Sequence, residues 1–279
     1  MISELKKYVS KTFIKNHILV PLAPLDIRNG INDPRMLNYT GNHTILINAR
    51  RVDGRCFQFM KLNEEFNPFV RALKDSVHLK KNDRKDFIHK AFESYYTSYQ
   101  PESAIERFEL NREEAPDLEN EPAWAAPMPW SANSIKAEKK SVKRWLKEDH
   151  QNQGQNLEII HGHTYYGPVS SQKLRLETKR FLKVFESIEL SGYNRSNTSD
   201  GDIVATIFVS NNGEWRWTVR QGHHRANTLA ALDYEQIPVC VKKIVYESEV
   251  RFWPNVRSGL YSRRGAEKMF QMYFEGRAF

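Results

Sequence analysis

A short polar motif, Gln-Gly-His-His-Arg at residues 221–225, combines residue types that can hold an anion. Its glycine lets the backbone approach a ligand closely, and its histidines and arginine supply side-chain hydrogen-bond donors. If a helix begins here, the first N–H groups of that helix add donors and its dipole adds partial positive charge. These features predict a site for an anion such as phosphate. The alternative is an ordinary turn with one buried histidine and a solvated arginine.

The elements around this motif predict a strand that is followed by a helix. Residues 215–219 alternate apolar and polar side chains, which is typical of a strand, and residues 226–232 have helical composition. Residues 203–209 predict a preceding strand, joined to 215–219 by a tight turn at Asn211-Asn212-Gly213. A further strand is expected over residues 237–245.

The rest of the C-terminal half predicts a strand, a long helix and a helical tail. Residues 157–160 begin a strand that Gly167-Pro168 interrupts. The helix that follows has one apolar face from Leu174 to Ile188, and Gly192 ends it. The tail has an amphipathic end over residues 266–274, which we interpret as packing.

The N-terminal half predicts a second region of mixed helix and strand. Strands are expected at residues 44–48 and 56–60, with a hairpin turn at Asp53-Gly54, and a helix is expected from about residue 82. Residues 121–130 are rich in proline and tryptophan. This composition favours an ordered, extended segment that packs across the domain or borders a pocket. A charged helix is expected over residues 136–150.

These elements predict an α+β protein in which a polar loop separates an N-terminal α+β region, residues 1–150, from a C-terminal domain, residues 157–279. The chain has 279 residues, 40% of them hydrophobic, and a formal net charge of +8, which favours anionic ligands in general. The two cysteines, Cys56 and Cys240, are far apart, and predict neither a disulfide nor a thiolate metal site. The apolar run at residues 18–25 is too short to span a bilayer, and no secretory signal is apparent. We therefore expect a cytoplasmic protein without a membrane partner.

Residues 185–192 and 221–239 are similar to two segments of the ParB/sulfiredoxin superfamily. The second segment, Gln-Gly-His-His-Arg-Ala-Asn-Thr-Leu-Ala-Ala-Leu-Asp-Tyr-Glu-Gln-Ile-Pro-Val, carries most of the likeness, which covers residues 157–245. The resemblance implies a small mixed sheet with helices, in which the loop and the helix behind it hold nucleotide phosphates. The cofactor-binding residues that it implies are Gly222, His223, His224, Arg225, Ala226 and Asn227.

Differences within the motif select among the branches of that superfamily. Sulfiredoxins have a cysteine where this chain has His223, so sulfinate reduction is not expected. Only a short tail follows Val245, so the helix-turn-helix domain of the DNA-clamping branch is not expected, and nucleic-acid binding is disfavoured. The free-serine kinases are the most similar branch at the motif, although Gln221 replaces their aspartate.

The resemblance to the kinase branch implies transfer of phosphate from ATP to a small hydroxylated acceptor, such as a sugar or an amino acid. Phosphoryl transfer needs positive charge at the phosphates and usually magnesium. We predict Glu177 and His224 as catalytic residues, Glu177 as the base and His224 as a stabiliser of the transferred charge. Asp200 and Asp202 are the predicted magnesium ligands.

Several alternatives remain open from the sequence. Glu177 can be a solvated helix-face carboxylate, and the two aspartates can belong to a polar turn. The pair His161 and His163 is compatible with zinc. The whole protein can be a non-catalytic nucleotide sensor or partner-binding protein, which the missing kinase acids favour, or a ParB-like nucleic-acid binder or nuclease. The sequence identifies no protein partner.

Overall fold

The structure is a computed structural model that describes residues 23–195 and 202–277. It is a mixed α+β arrangement, as predicted. The helices are α1 (Pro68–Asp75), α2 (Lys81–Ser98), α3 (Ala104–Arg107), α4 (Ile135–Gln151), α5 (Ser171–Ser191), α6 (His223–Ala231), α7 (Pro254–Arg257) and α8 (Arg263–Glu275). The strands are β1 (Leu25–Asp26), β2 (Ile45–Arg50), β3 (Gly54–Cys56), β4 (Met60–Lys61), β5 (Ile203–Val209), β6 (Trp215–Gln221) and β7 (Gln236–Tyr246). Short 3-10 helices occur at Pro34–Asn38, Arg51–Asp53, Pro116–Leu118, Ile159–His161 and Glu247–Phe252.

All the strands named above lie in one seven-stranded sheet with the order β1-β2-β7-β5-β6-β3-β4. The predicted hairpin is confirmed, since β5 and β6 pair antiparallel, and α6 leads the chain back to β7, which pairs parallel with β5. The N-terminal strand β2 pairs with β7 on one side, and β3 pairs with β6 on the other. Strands from both predicted regions therefore contribute to one sheet, and the division at residues 151–156 stays a prediction about domains.

The two faces of the sheet carry separate apolar clusters. Helices α1, α2, α5 and α6 cover the first face, where Ile207 and Trp217 are fully buried. Helix α8 and the segment before α4 cover the second face, where Phe208 packs against Phe270 and Tyr273. Since neighbouring residues of a strand point to opposite faces, Ile207 and Phe208 belong to different clusters.

The proline- and tryptophan-rich segment forms neither a helix nor a strand, and it contains a turn in which the Ala125 N–H donates to the Pro122 carbonyl. The ring of Trp130 is 5.0 Å from that of Phe208 and 5.3 Å from that of Trp253. Trp124, six residues earlier, lies at the wall of a pocket. The segment thus packs across the second face and also borders a pocket.

Three predicted elements are wrong. Residues 56–60 are not one strand, because residues 57–59 form the turn that joins β3 to β4. The residues Asp53 and Gly54 do not form a hairpin turn, because β2 and β3 pair with β7 and β6 on opposite sides of the sheet. Gly54 instead allows close packing, since a Cβ atom there would lie 2.5 Å from the Trp217 ring. Residues 157–160 form no strand, because this part of the chain turns through the 3-10 helix Ile159–His161.

Candidate functional site

The predicted change from strand to helix at the Gln-Gly-His-His-Arg motif is confirmed. Strand β6 ends at Gln221, and α6 begins at His223. Gly222 between them has φ 87° and ψ 28°, in the left-handed region that glycine adopts at little cost. No side chain caps the start of α6. A local backbone signal, a glycine after an alternating strand, therefore placed this junction correctly.

His223 is held inside the protein by hydrogen bonds at both ring nitrogens. Its Nδ1 accepts from the Phe57 N–H at 3.3 Å, and its Nε2 lies 3.0 Å from the Tyr165 hydroxyl. The Phe57 ring stacks on the imidazole, with 4.9 Å between centroids. Burial lowers the pKa of His223 to about 3, so the ring is neutral at pH 7. Since Nδ1 of the neutral ring accepts a hydrogen bond, Nε2 carries the proton and donates a hydrogen bond to the Tyr165 hydroxyl.

A strained turn completes the surroundings of His223. Phe57 (φ 43°) and Gln58 (φ 82°) are consecutive non-glycine residues in the left-handed region. Such residues cost roughly 1–3 kcal/mol each and persist where their surroundings hold them. Here the backbone of Phe57 bonds to His223, and the Gln58 amide oxygen accepts from the Arg107 guanidinium. The turn directs Gln58 into the pocket described below.

The two predicted catalytic residues, Glu177 and His224, contact each other. The carboxylate Oε2 of Glu177 lies 2.9 Å from Nε2 of His224. The same carboxylate is 2.9 Å from the Lys173 ammonium group and 3.2 Å from the Arg180 guanidinium. Burial alone would raise the pKa of Glu177, but Lys173, His224 and Arg180 outweigh burial and hold the pKa well below its usual range. Glu177 is therefore a fully buried, ionised carboxylate rather than a solvated one.

The ion-pair network continues from Glu177 to α4. Asp149 accepts two hydrogen bonds from the Arg180 guanidinium, at 2.7 and 3.0 Å. Lys173 also contacts Nε2 of His150 and donates to the Thr164 hydroxyl at 3.0 Å. Oxygen and nitrogen atoms of Asp149, His150 and Glu177 lie within 4.8 Å of one another, a spacing compatible with a metal ion. The Lys173 and Arg180 cations already bond to these groups, so the network is internally neutralised.

The other predicted cofactor-binding residues of α6 point mainly to the interior. Ala226 is fully buried in the first-face cluster, and its N–H donates to the Gly222 carbonyl at 3.0 Å. Asn227 is also fully buried, and its amide nitrogen donates to Cys56 Sγ at 3.0 Å and to the His223 carbonyl at 2.8 Å. The Arg225 guanidinium packs back over Gly222, 3.1 Å from where a Cβ atom would lie. None of residues 222–227 lines the pocket described below.

Of the two predicted magnesium ligands, only Asp202 belongs to the described residues. Asp200 lies outside the described residues. Both carboxylate oxygens of Asp202 accept from the Arg195 guanidinium, one of them at 3.1 Å. Asp202 would have to leave this ion pair to bind magnesium. His161 bonds to the Ser170 hydroxyl, and no potential metal group among the described residues includes His161 or His163.

A pocket of about 460 Å³ lies on the second face of the sheet, and we call it the sheet-face pocket. Its floor is formed by β5, β6 and β7, one wall by α4, and the other sides by the tryptophan-rich segment and residues 163–165. Floor residues Thr206 and Thr218 alternate with Ala205 and Val219, whose side chains belong to the first-face cluster. Gln221, the first residue of the motif, lies at the pocket, but Glu177 and His224 do not line it. The main lining residues are Gln58, Arg107, Trp124, Glu138, Trp145, His163, Tyr165, Thr206, Thr218, Arg220, Gln221, Lys242 and Lys243.

The sheet-face pocket carries an excess of positive charge. Arg107, Arg220, Lys242 and Lys243 line it, and Glu138 is the one carboxylate among its described lining residues. Burial and the nearby Arg220 lower the pKa of Lys243. The ammonium group of Lys243 donates to the Trp130 carbonyl at 2.9 Å and does not pair with an acid among the described residues. An anion in the pocket would offset this charge.

Aromatic rings form one side of the same pocket. The rings of Trp145 and Tyr165 have centroids 5.9 Å apart, and Trp145 is 5.8 Å from His163. Trp145 shares one face of α4 with Glu138, Ser141 and Val142, since these positions follow helical spacing and all line the pocket. Tyr165 connects the pocket to the start of α6 through its hydrogen bond to His223. The pocket therefore combines positive charge with flat apolar surfaces.

Most of these pocket residues were missed from the sequence. A signal for part of the floor is present in β6, where Arg216, Thr218 and Arg220 occupy one strand face. That alternation predicted a half-exposed strand, but it did not indicate that α4 covers the polar face. The role of Trp145 had no sequence signal, because a tryptophan on a charged helix is also typical of simple packing.

Comparison of the chain with protein-family models, curated proteins and solved structures finds no match. The resemblance to the ParB/sulfiredoxin superfamily accordingly stays a prediction. None of the helices in residues 23–195 and 202–277 has an apolar run long enough to cross a bilayer.

Proposed function

We propose that this protein binds a nucleotide, ATP or another nucleoside triphosphate, in the sheet-face pocket. The observation that carries the proposal is the pairing of several cations with aromatic walls, including Trp145 and Tyr165, in one cavity of about 460 Å³. That volume is within the usual range for a small-molecule site. Phosphate groups favour the cations, and bases favour stacking on the rings.

The position of the pocket beside the Gln-Gly-His-His-Arg motif supports the same proposal. Gln221 lines the pocket, and Tyr165 links the pocket lining to His223 in the first turn of α6. Residues 222–227 do not themselves line the pocket, so this support rests on Gln221 and Tyr165 and not on the first turn of α6.

Nucleotide binding without phosphoryl transfer is the activity that the geometry supports best. Glu177 and His224 bond to each other, and Glu177 would have to leave two cations to act as a base toward an acceptor. Asp202 is paired with Arg195, and Glu138 is the only carboxylate among the described pocket residues. Phosphotransfer to a small hydroxylated acceptor remains the prediction from the sequence, and these contacts favour the sensing alternative.

Isothermal titration with ATP, CTP, GTP and UTP, each with and without magnesium, tests the proposal. Trp145→Ala should weaken binding of the preferred nucleotide by about 5- to 150-fold, the range expected for loss of one stacking surface. Phe252→Ala is the matched control, because Phe252 is a 60% exposed aromatic residue outside the pocket lining. Absence of nucleotide binding to the wild-type protein, or equal binding by the two variants, would refute the proposal.

A turnover assay separates the two activities. The wild-type protein is incubated with the nucleotide that binds, magnesium and a panel of sugars and amino acids, and nucleoside diphosphate is measured. We expect binding without turnover. Acceptor-dependent release of diphosphate would instead support the phosphotransferase.

A further inference from the structure

We propose that the floor of the sheet-face pocket is an oxyanion site, in which Thr218, Arg220 and Lys243 bind a phosphate or carboxylate group of the ligand. The inference rests on the proposed function only in taking this pocket as the ligand site. It places the anionic group on the sheet, whereas the sequence predicted the phosphates at Gly222–Asn227. The ligand class is therefore a small molecule with an oxyanion at the sheet and a ring toward α4.

Strand register brings the three floor residues together. Thr206 of β5 is the pairing partner of Thr218 on β6 and of Lys243 on β7. Paired residues of neighbouring strands share a face, and their Cβ atoms are about 5 Å apart. Arg220 is two residues beyond Thr218, at a register shift between β5 and β6, and it also lines the pocket. One hydroxyl row is thus flanked by two cations.

Thr218 supplies an independent sign that a ligand belongs here. It is 1% exposed, and its Oγ1 has no hydrogen-bond partner within the described part of the chain. Buried polar atoms are nearly always paired, so an unpaired hydroxyl at a pocket requires an explanation. Nε of Arg107, another lining residue, is also buried and unpartnered. An oxyanion on the floor would accept from both donors.

The charges on the floor agree with this assignment. Neither Arg220 nor Lys243 forms an ion pair with an acid in residues 23–195 or 202–277, and the ammonium group of Lys243 donates to the Trp130 carbonyl. The two cations lie near enough that Arg220 opposes protonation of Lys243. A bound oxyanion replaces this repulsion by two charge-assisted hydrogen bonds. His223, by contrast, is neutral and already bonded to Phe57 and Tyr165.

The test compares Thr218→Val with Thr228→Val. Valine keeps the shape of threonine and removes the hydroxyl, and Thr228 is an equally buried threonine of α6 whose Oγ1 is also unpartnered within the described residues. Thr228 does not line the pocket. Because Thr218 has no protein partner to lose, Thr218→Val should unfold at the same temperature as the wild type, or higher, in the absence of ligand.

Binding is measured by isothermal titration with a nucleotide and with the corresponding nucleoside. Thr218→Val should lower nucleotide affinity by about 10-fold or more, the loss expected for a hydrogen bond to a charged group, and should change nucleoside affinity less than about 2-fold. Arg220→Gln should show the same selectivity, while the exposed Arg175→Gln of α5 should not. Equal losses for nucleotide and nucleoside, or no loss in Thr218→Val, would overturn the inference.

The unfolding temperature measured with inorganic phosphate, pyrophosphate or acetate tests the oxyanion site by itself, because these probes carry an oxyanion but no aromatic base. Any of the three that stabilises the wild-type protein, but not Thr218→Val, supports the site, and the most effective probe distinguishes phosphate from carboxylate. This outcome can occur even if no nucleotide binds, in which case the oxyanion site stands and the proposed function fails. Nucleotide binding that is insensitive to Thr218→Val would leave the proposed function standing and remove the oxyanion site.

Discussion

Replacing Glu177 by glutamine should destabilise the protein strongly, because it leaves a buried cation without its counter-ion. Glu177 and Lys173 are both 0% exposed, and their charged groups are 2.9 Å apart. In Glu177→Gln, Arg180 keeps its two hydrogen bonds to Asp149, but Lys173 retains only neutral partners at His150 and Thr164. Removing one partner of a buried ion pair typically costs about 3–5 kcal/mol. We expect a loss of this size in the free energy of unfolding.

Urea unfolding at pH 7.5, followed by tryptophan fluorescence, measures this loss. Glu186→Gln is the matched control on the same helix, since Glu186 pairs at 3.2 Å with Lys81, which is 80% exposed. Exposed pairs contribute about 0–1 kcal/mol, so the control should unfold almost as the wild type does. The double variant Lys173→Met/Glu177→Leu should recover much of the stability, because apolar side chains of similar size remove both buried charges together.

The result also separates a structural from a catalytic role for Glu177. A loss below about 1 kcal/mol in Glu177→Gln, or a double variant less stable than either single one, would refute the reasoning about the buried pair. If Glu177→Gln kept its stability but lost a measured phosphotransfer activity, the sequence prediction of a catalytic base would be supported instead.

Two further predictions concern His223 and the tyrosine that it contacts. Because His223 Nε2–H donates to the Tyr165 hydroxyl, the proton of that hydroxyl is free to point to the ligand. Tyr165→Phe should therefore weaken nucleotide binding about 5-fold, measured by titration calorimetry. The control is Tyr39→Phe, which should not change binding because Tyr39 is 81% exposed and lies outside the pocket lining. The pKa of His223 is about 3 in the folded protein and 6.5 in the unfolded chain. Between pH 6.5 and pH 3 the unfolded state therefore binds one more proton than the folded state, and the free energy of unfolding decreases as the pH falls through this range. At pH 5, protonation of this residue in the unfolded state lowers the free energy of unfolding by about 2 kcal/mol. Urea unfolding should therefore depend less on pH in His223→Gln than in the wild type. Equal pH dependence would contradict the assignment of a neutral buried imidazole.

Local patterns predicted the central part of the fold well. The hairpin of β5 and β6, the glycine junction, α6 and the return strand β7 all lie close to their predicted bounds, because each is specified by side-chain period and by glycine within a short window. The errors came from pairing between distant residues. Asp53-Gly54 has the composition of a hairpin turn, but β2 pairs with β7 and not with the short strand β3. Six residue pairs are in register between β2 and β7.

The sequence by itself determined the junction at Gly222, since a left-handed glycine between an alternating strand and a helix is a local property of the backbone. It also named Glu177 and His224 together, without indicating that they meet at 2.9 Å. Only the packing of α5 on α6 decided that contact and enclosed Glu177 between cations. Only the placement of α4 over the second face enclosed Thr218 in a pocket floor and brought Arg220 to the same pocket, because burial and charge environment depend on residues that are far apart in the chain.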